Sequence, residues 1–164
     1  MFKKKLEILF LLLILVSLAI LINNYYQNYT FKNNDIPQSY KQRIADKEQE
    51  VLKYMQAHYN ARFQFPLIVT DKFQGKLYGL TSYRKGEIKI YLNKKVMQES
   101  MDYMVESVIA HEYAHALMFK FGFFETKSSG HSQKWKEICI NLGGADCRQY
   151  VNRQEIILSK IPFK

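Results

Sequence analysis

Cysteine is scarce in this sequence, with two residues among 164. That is too few for a cysteine-ligated zinc finger or ribbon. Dense blocks of Lys or Arg are missing too, although the net charge is +9. Basic residues such as Lys72, Arg84, Lys85, Lys89 and Lys94 are scattered. That pattern fits a solvated basic face better than a nucleic-acid site, so nucleic acid is not an expected partner. No internal repeat or low-complexity stretch occurs in residues 36–164. Histidine is rare as well: there are four, and three of them fall between positions 111 and 131. What is abundant is apolar and aromatic surface, with 48% hydrophobic residues, 12 Tyr and 11 Phe. A chain of this length and composition builds one domain with one core and is not disordered.

The N-terminus reads as an address. Lys3, Lys4 and Lys5 precede an almost unbroken apolar run, Leu6–Ile22, with Glu7 at its edge and Ser17 inside. A basic segment before an apolar core has the form of an export signal. As a helix the run is about 25 Å long, near the lower limit for crossing a bilayer. Two outcomes stand open. The helix stays as an anchor with Tyr25 and Tyr26 at the interface, or it is cut after Ser17-Leu18-Ala19. The apolar run continues past that triplet, which favours the anchor. Lysines before the run and none immediately after it put the N-terminus inside and the remainder outside the cytoplasm. The expected organisation is therefore a signal anchor or signal peptide over 1–22, a linker over 23–39 and a domain over 40–164. Cys139 and Cys147, separated by Gly143-Gly144, could pair in an oxidising compartment or simply be two small buried residues.

Within the domain the hydrophobic period changes twice. Tyr40–Tyr59 carries Ile44, Val51, Leu52 and Met55 among polar residues, an amphipathic helix. Pro66–Thr70, Leu77–Tyr83 and Glu87–Leu92 read as short strands, the last alternating polar and apolar, with Gly75 and Gly79 relieving the backbone of the second. From an N-cap at Ser100 a nearly all-apolar helix runs to about Phe121 and stops at Gly122. A last long helix begins near Ser129–Ser132 and ends at Gly143-Gly144, and Gln154–Ile161 reads as a further short helix or strand. The fold class is α+β: a small three-stranded sheet packed on the apolar helix and the helix that follows it.

Into the middle of that apolar helix falls His111-Glu112-Tyr113-Ala114-His115. Residues four apart stack on one helical face, so the two imidazoles can converge on one cation. Glu112 sits one position round, displaced from the cation and placed to act on an attacking water. Two His and a Glu are costly to bury on an apolar helix without a partner, and a metal supplies one. Catalytic zinc takes three protein ligands and leaves one position for water. The compact continuation with a Gly and a third His is excluded, because Met118 and Phe121 occupy those positions. The remaining candidates are His131, aimed by the freedom of Gly130, and Glu137, with His131 preferred. His58 has no motif around it and reads as an ordinary histidine. Tyr83, Tyr91 and Arg84 are open candidates for stabilising an oxyanion.

The stretches His111–Ala116 and Gly130–Lys136, followed by Leu142-Gly143-Gly144, resemble the SprT-like (Spartan/SprT) metallopeptidase domain. The resemblance covers roughly residues 60–147 and includes Trp135. It implies a zincin-like fold, Zn2+ held by His111, His115 and His131, Glu112 as catalytic base, and a protein or peptide substrate. Many relatives carry a cysteine-rich zinc ribbon after the domain and act on DNA-bound proteins inside the cell. This chain has no cysteines for such a ribbon and begins with an export or anchor segment, so the DNA-linked role is not carried over. The competing expectations are a membrane-tethered binding protein with a structural zinc and a cytoplasmic DNA-associated protease.

Overall fold

The structure is a computed structural model that describes residues 2–73, 77–123 and 130–148. The tail segment Gln154–Ile161 lies outside the described residues. The chain separates into two compact units, 1–37 and 38–164.

The first unit is one helix, α1 (Phe2–Asn33), long and apolar enough to cross a membrane. Ser17, a polar residue inside the apolar run, donates its hydroxyl to the Leu13 carbonyl at 2.8 Å and so is satisfied within the helix. The helix extends through Asn23–Asn33, which the sequence reads as linker. Asn, Tyr and Gln tolerate helix, and the first strong breaker is Pro37, so only residues 34–37 separate α1 from the next helix.

The second unit holds α2 (Gln38–Tyr59), β1 (Leu67–Thr70), β2 (Gly79–Arg84), β3 (Glu87–Asn93), α3 (Lys94–Tyr103), a π-helical turn (Met104–Val108), α4 (Ile109–Lys120) and α5 (Gln133–Asn141). Helix α2 buries the stripe Ile44, Val51, Leu52 and Met55, as its period predicts. Lys47 is buried on the same side, where its ammonium donates to the Gly143 carbonyl and to Glu50 Oε1, both at 3.2 Å. A cation there meets the negative end of α5. The sheet order is β1-β3-β2, with β1 parallel and β2 antiparallel to β3. Strand β3 alternates, burying Ile90 and Leu92 toward the helices and turning Tyr91 to the opposite face.

The long apolar helix expected from Ser100 begins earlier, at Lys94, where Asn93 caps it by accepting from the Lys95 N–H. Ser100 is not the N-cap. It interrupts the run with φ −142° and ψ 40°, and the π turn follows before α4 starts. The stop at Gly122 (φ +74°) is as expected. Helix α4 is the centre of the core. Ile109, Ala110, Tyr113, Ala114, Ala116 and Leu117 are fully buried between α2, α5 and the sheet.

Cys139 and Cys147 form a disulfide, which resolves the alternative left by the sequence. The bridge holds residues 144–147 as a strap running from α5 to the π turn, where the Ala145 N–H donates to the Glu106 carbonyl at 3.1 Å. Closing a loop of eight residues is worth about 2.5 kcal/mol in the chain-entropy description. Reduction of the bridge should therefore lower the unfolding free energy by about that amount. Denaturant titrations of the oxidised and reduced protein measure it, and identical curves would show that the bridge contributes nothing.

Candidate metal centre

Helix α4 presents His111 and His115 one turn apart. The third imidazole comes from the short non-helical link before α5. Gly130 turns the chain with φ +77°, a left-handed conformation that disfavours any side chain. Ser132 then caps α5 by accepting from the Trp135 N–H at 3.2 Å, which fixes where that helix begins. His131 lies between these two devices and is brought over α4.

The three side chains meet. His131 Nε2 is 3.1 Å from His111 Nε2 and 3.2 Å from His115 Nε2. Three nitrogens held tetrahedrally about one zinc at about 2.0–2.1 Å would lie about 3.3 Å apart. Neutral imidazoles do not turn three lone-pair nitrogens on one another without a proton or a cation between them. The donor set therefore fits a metal ion, and the cluster is of the kind that could hold one. Around it packs Trp135, buried, with its ring centroid 4.4 Å from His131, 4.6 Å from His111 and 5.2 Å from His115. Its indole N–H is, among the described residues, a buried polar atom without a hydrogen-bond partner.

Burial sets the protonation of the cluster. It pushes His111 down to about 4, with the neighbouring His131 acting in the same direction and Asp146 opposing. It pushes His115 down to about 3, assisted by His111 and His131. Both imidazoles are therefore neutral near pH 7, as metal ligation requires.

Glu112 lies about 100° round the helix from His111 and points at β2. It is 5% exposed. Burial pushes its carboxyl up to about 7, and the hydrogen bonds from Thr81 pull the other way. The Thr81 hydroxyl is 2.7 Å from Glu112 Oε2 and 2.8 Å from the Glu112 carbonyl oxygen. A Cβ built on Gly79 would stand 2.6 Å from Glu112 Oε1.

The other sequence candidates separate. Glu137 is on the exposed side of α5, where Lys134 binds it at 3.0–3.1 Å, and it does not join the cluster. His58 is exposed in the last turn of α2, outside the site. Tyr91 faces away from α4. Tyr83 is on the α4 side and stacks on Phe119, with ring centroids 5.5 Å apart. Arg84, next along the strand, alternates to the opposite face. The sequence alone does not mark Thr81 or Gly79 as site residues. The one local signal was their period-2 spacing with Tyr83, which puts all three on the same face of β2.

Residues 48–157, more than half of the chain, match the family model described as SprT-like family. No curated protein and no solved structure matches the chain. The match includes the His111–His115 helix, His131 and Trp135, and by it the chain belongs to the SprT-like family.

Proposed function

We propose that this protein is a zinc-dependent metallopeptidase, anchored in a membrane by α1 with its catalytic domain outside the cytoplasm. The observation that carries the reading is the convergence of the His111 and His115 nitrogens on His131 Nε2, at 3.1 and 3.2 Å, with a buried carboxylate at the next position along the helix from His111. His111, His115 and His131 would hold the metal. A zinc ion held there would supply Lewis acidity for activating the attacking water and the scissile carbonyl. Glu112 takes the proton of the attacking water and returns it to the leaving amine. Trp135 keeps bulk water from one side of the histidines and restrains their rings.

The substrate is a protein or peptide in extended form, laid along β2, the edge strand beside α4. Location outside the cytoplasm is supported by the basic residues that precede the apolar run and by the Cys139–Cys147 bridge, since such bridges persist in oxidising compartments. A structural zinc would call for four closed ligands. Among the described residues the cluster offers three.

The test is cleavage of a denatured, dye-labelled casein by the full-length protein in detergent. Fragments are expected with zinc, none after chelation, and fragments again on adding zinc back. A protein carrying one zinc per chain that cuts nothing would return the reading to a tethered binding protein.

A further inference from the structure

We propose that β2 aims the catalytic base: Thr81 is a positioning residue for Glu112, and Gly79 leaves the space in which the carboxylate sits. This rests on the peptidase reading above.

Two contacts define the seat, from alternate residues of one strand. The Thr81 hydroxyl reaches both Glu112 Oε2 at 2.7 Å and the Glu112 carbonyl oxygen at 2.8 Å. One hydroxyl proton shared between a side-chain and a main-chain oxygen of the same residue ties the carboxylate to its own helical turn. On the other side, a Cβ at position 79 would stand 2.6 Å from Oε1, 2.7 Å from Cγ and 2.9 Å from Cδ of Glu112. The backbone of Gly79 is not left-handed, so the requirement for glycine there is one of space.

The same two residues face the open side of the sheet with their main chains. The Asn93 N–H donates to the Tyr78 carbonyl at 2.9 Å, and Leu80 is opposite Tyr91 in the register. Hydrogen-bonded pairs in an antiparallel ladder recur every second residue, so Tyr78 and Leu80 bond to β3. Gly79 and Thr81, at the alternate positions, turn their N–H and C=O groups away from β3. Among the described residues no strand pairs with that edge. Thr81 therefore holds the base with its side chain and offers its main chain to an incoming substrate strand. A substrate registered on this edge is registered against the base, without a separate orienting element.

The test uses full-length protein in detergent carrying Thr81→Val, Thr81→Ser or Gly79→Ala, the last also combined with Glu112→Ala. Zinc per chain should be unchanged in all of them, because none alters a nitrogen donor. Thr81→Val keeps the shape and removes the hydroxyl. It should lower kcat about ten- to a hundredfold while KM stays within about twofold of wild type, and Thr81→Ser should recover most of the loss. Generic loss of packing would produce neither the kcat–KM split nor the serine rescue. The seat is also read without turnover. Gly79→Ala should lower the melting temperature of the otherwise wild-type chain but not of the Glu112→Ala chain, in which the colliding atoms are gone. Wild-type kcat in zinc-loaded Thr81→Val, or an equal Gly79→Ala penalty in both backgrounds, overturns the proposal. If the zinc-loaded wild type cleaves nothing, the peptidase reading falls, and the Gly79–Glu112 pair still decides whether β2 seats the carboxylate.

Discussion

Full-length Glu112→Gln is expected to retain one zinc per chain and to lose about 10²–10⁴-fold in kcat, the range spanned by removing a positioned general base. That corresponds to about 2.7–5.5 kcal/mol of transition-state stabilisation. Gln keeps the size of the side chain and can still accept from Thr81, so the fold and the metal are undisturbed and the loss reports proton transfer alone. Burial raises the proton affinity of the carboxyl above that of a free glutamate while Thr81 restrains the rise, which strengthens it as a base. The base works ionised. Wild-type kcat/KM should therefore fall on the acid side as Glu112 takes up its proton, and the residual activity of Glu112→Gln should lack that limb. Gln activity within tenfold of wild type would remove Glu112 from the mechanism.

The second large effect concerns the metal itself. His131→Ala should abolish stoichiometric zinc, and Glu137→Ala should leave it intact. His131 Nε2 is within 3.2 Å of both other donors, whereas Glu137 is exposed and paired to Lys134. Loss of an outer partner of a metal ligand already costs roughly 10–100-fold in affinity, and loss of a direct donor should cost more. Stability should follow. At a free metal concentration about a thousand times its Kd, a site bound only in the folded state adds about 4 kcal/mol, and His131→Ala forfeits that increment. The exposed Lys134–Glu137 pair is worth about 1 kcal/mol or less. The chain contains one tryptophan, and it packs on all three imidazoles. Its fluorescence therefore reports metal binding directly, and titration with cobalt should quench it in wild type and in Glu137→Ala but not in His131→Ala. Zinc retained by His131→Ala and lost from Glu137→Ala would reverse the ligand assignment.

Legibility in the sequence followed the range of the interaction. The His111–His115 pair needs only helical periodicity, which is local, and its apolar surroundings announced a buried helix. His131 was within reach because Gly130 and Ser132 mark a turn and a cap, both short-range signals. The choice between His131 and Glu137 turns on where α5 begins, since His131 precedes the helix and Glu137 lies on its exposed side, and that start must be known to the residue. The partners of Glu112 on β2 were out of reach. They lie some thirty positions away in the chain, and a glycine in a strand looks the same whether it relieves a turn or yields space to a side chain. The order β1-β3-β2 was hidden for a related reason, since strand pairing is decided by the packing of whole elements.

The π turn at Met104–Val108 has a consequence for anyone counting residues along this segment. An α-helix advances about 100° per residue, and a π turn accommodates one residue more than an α turn. Positions before Met104 are thus out of phase with those after Val108, on top of the change of direction at Ser100. A helical wheel drawn through 94–120 as one ideal rod would assign the wrong faces to one half or the other. Met97 and Met101, buried on the near side of the step, and His111 and His115 on the far side behave as two gears meshed one tooth apart. A deletion or insertion of a single residue in this turn is therefore no neutral length change: it would rotate the histidines away from His131 or the methionines out of the core.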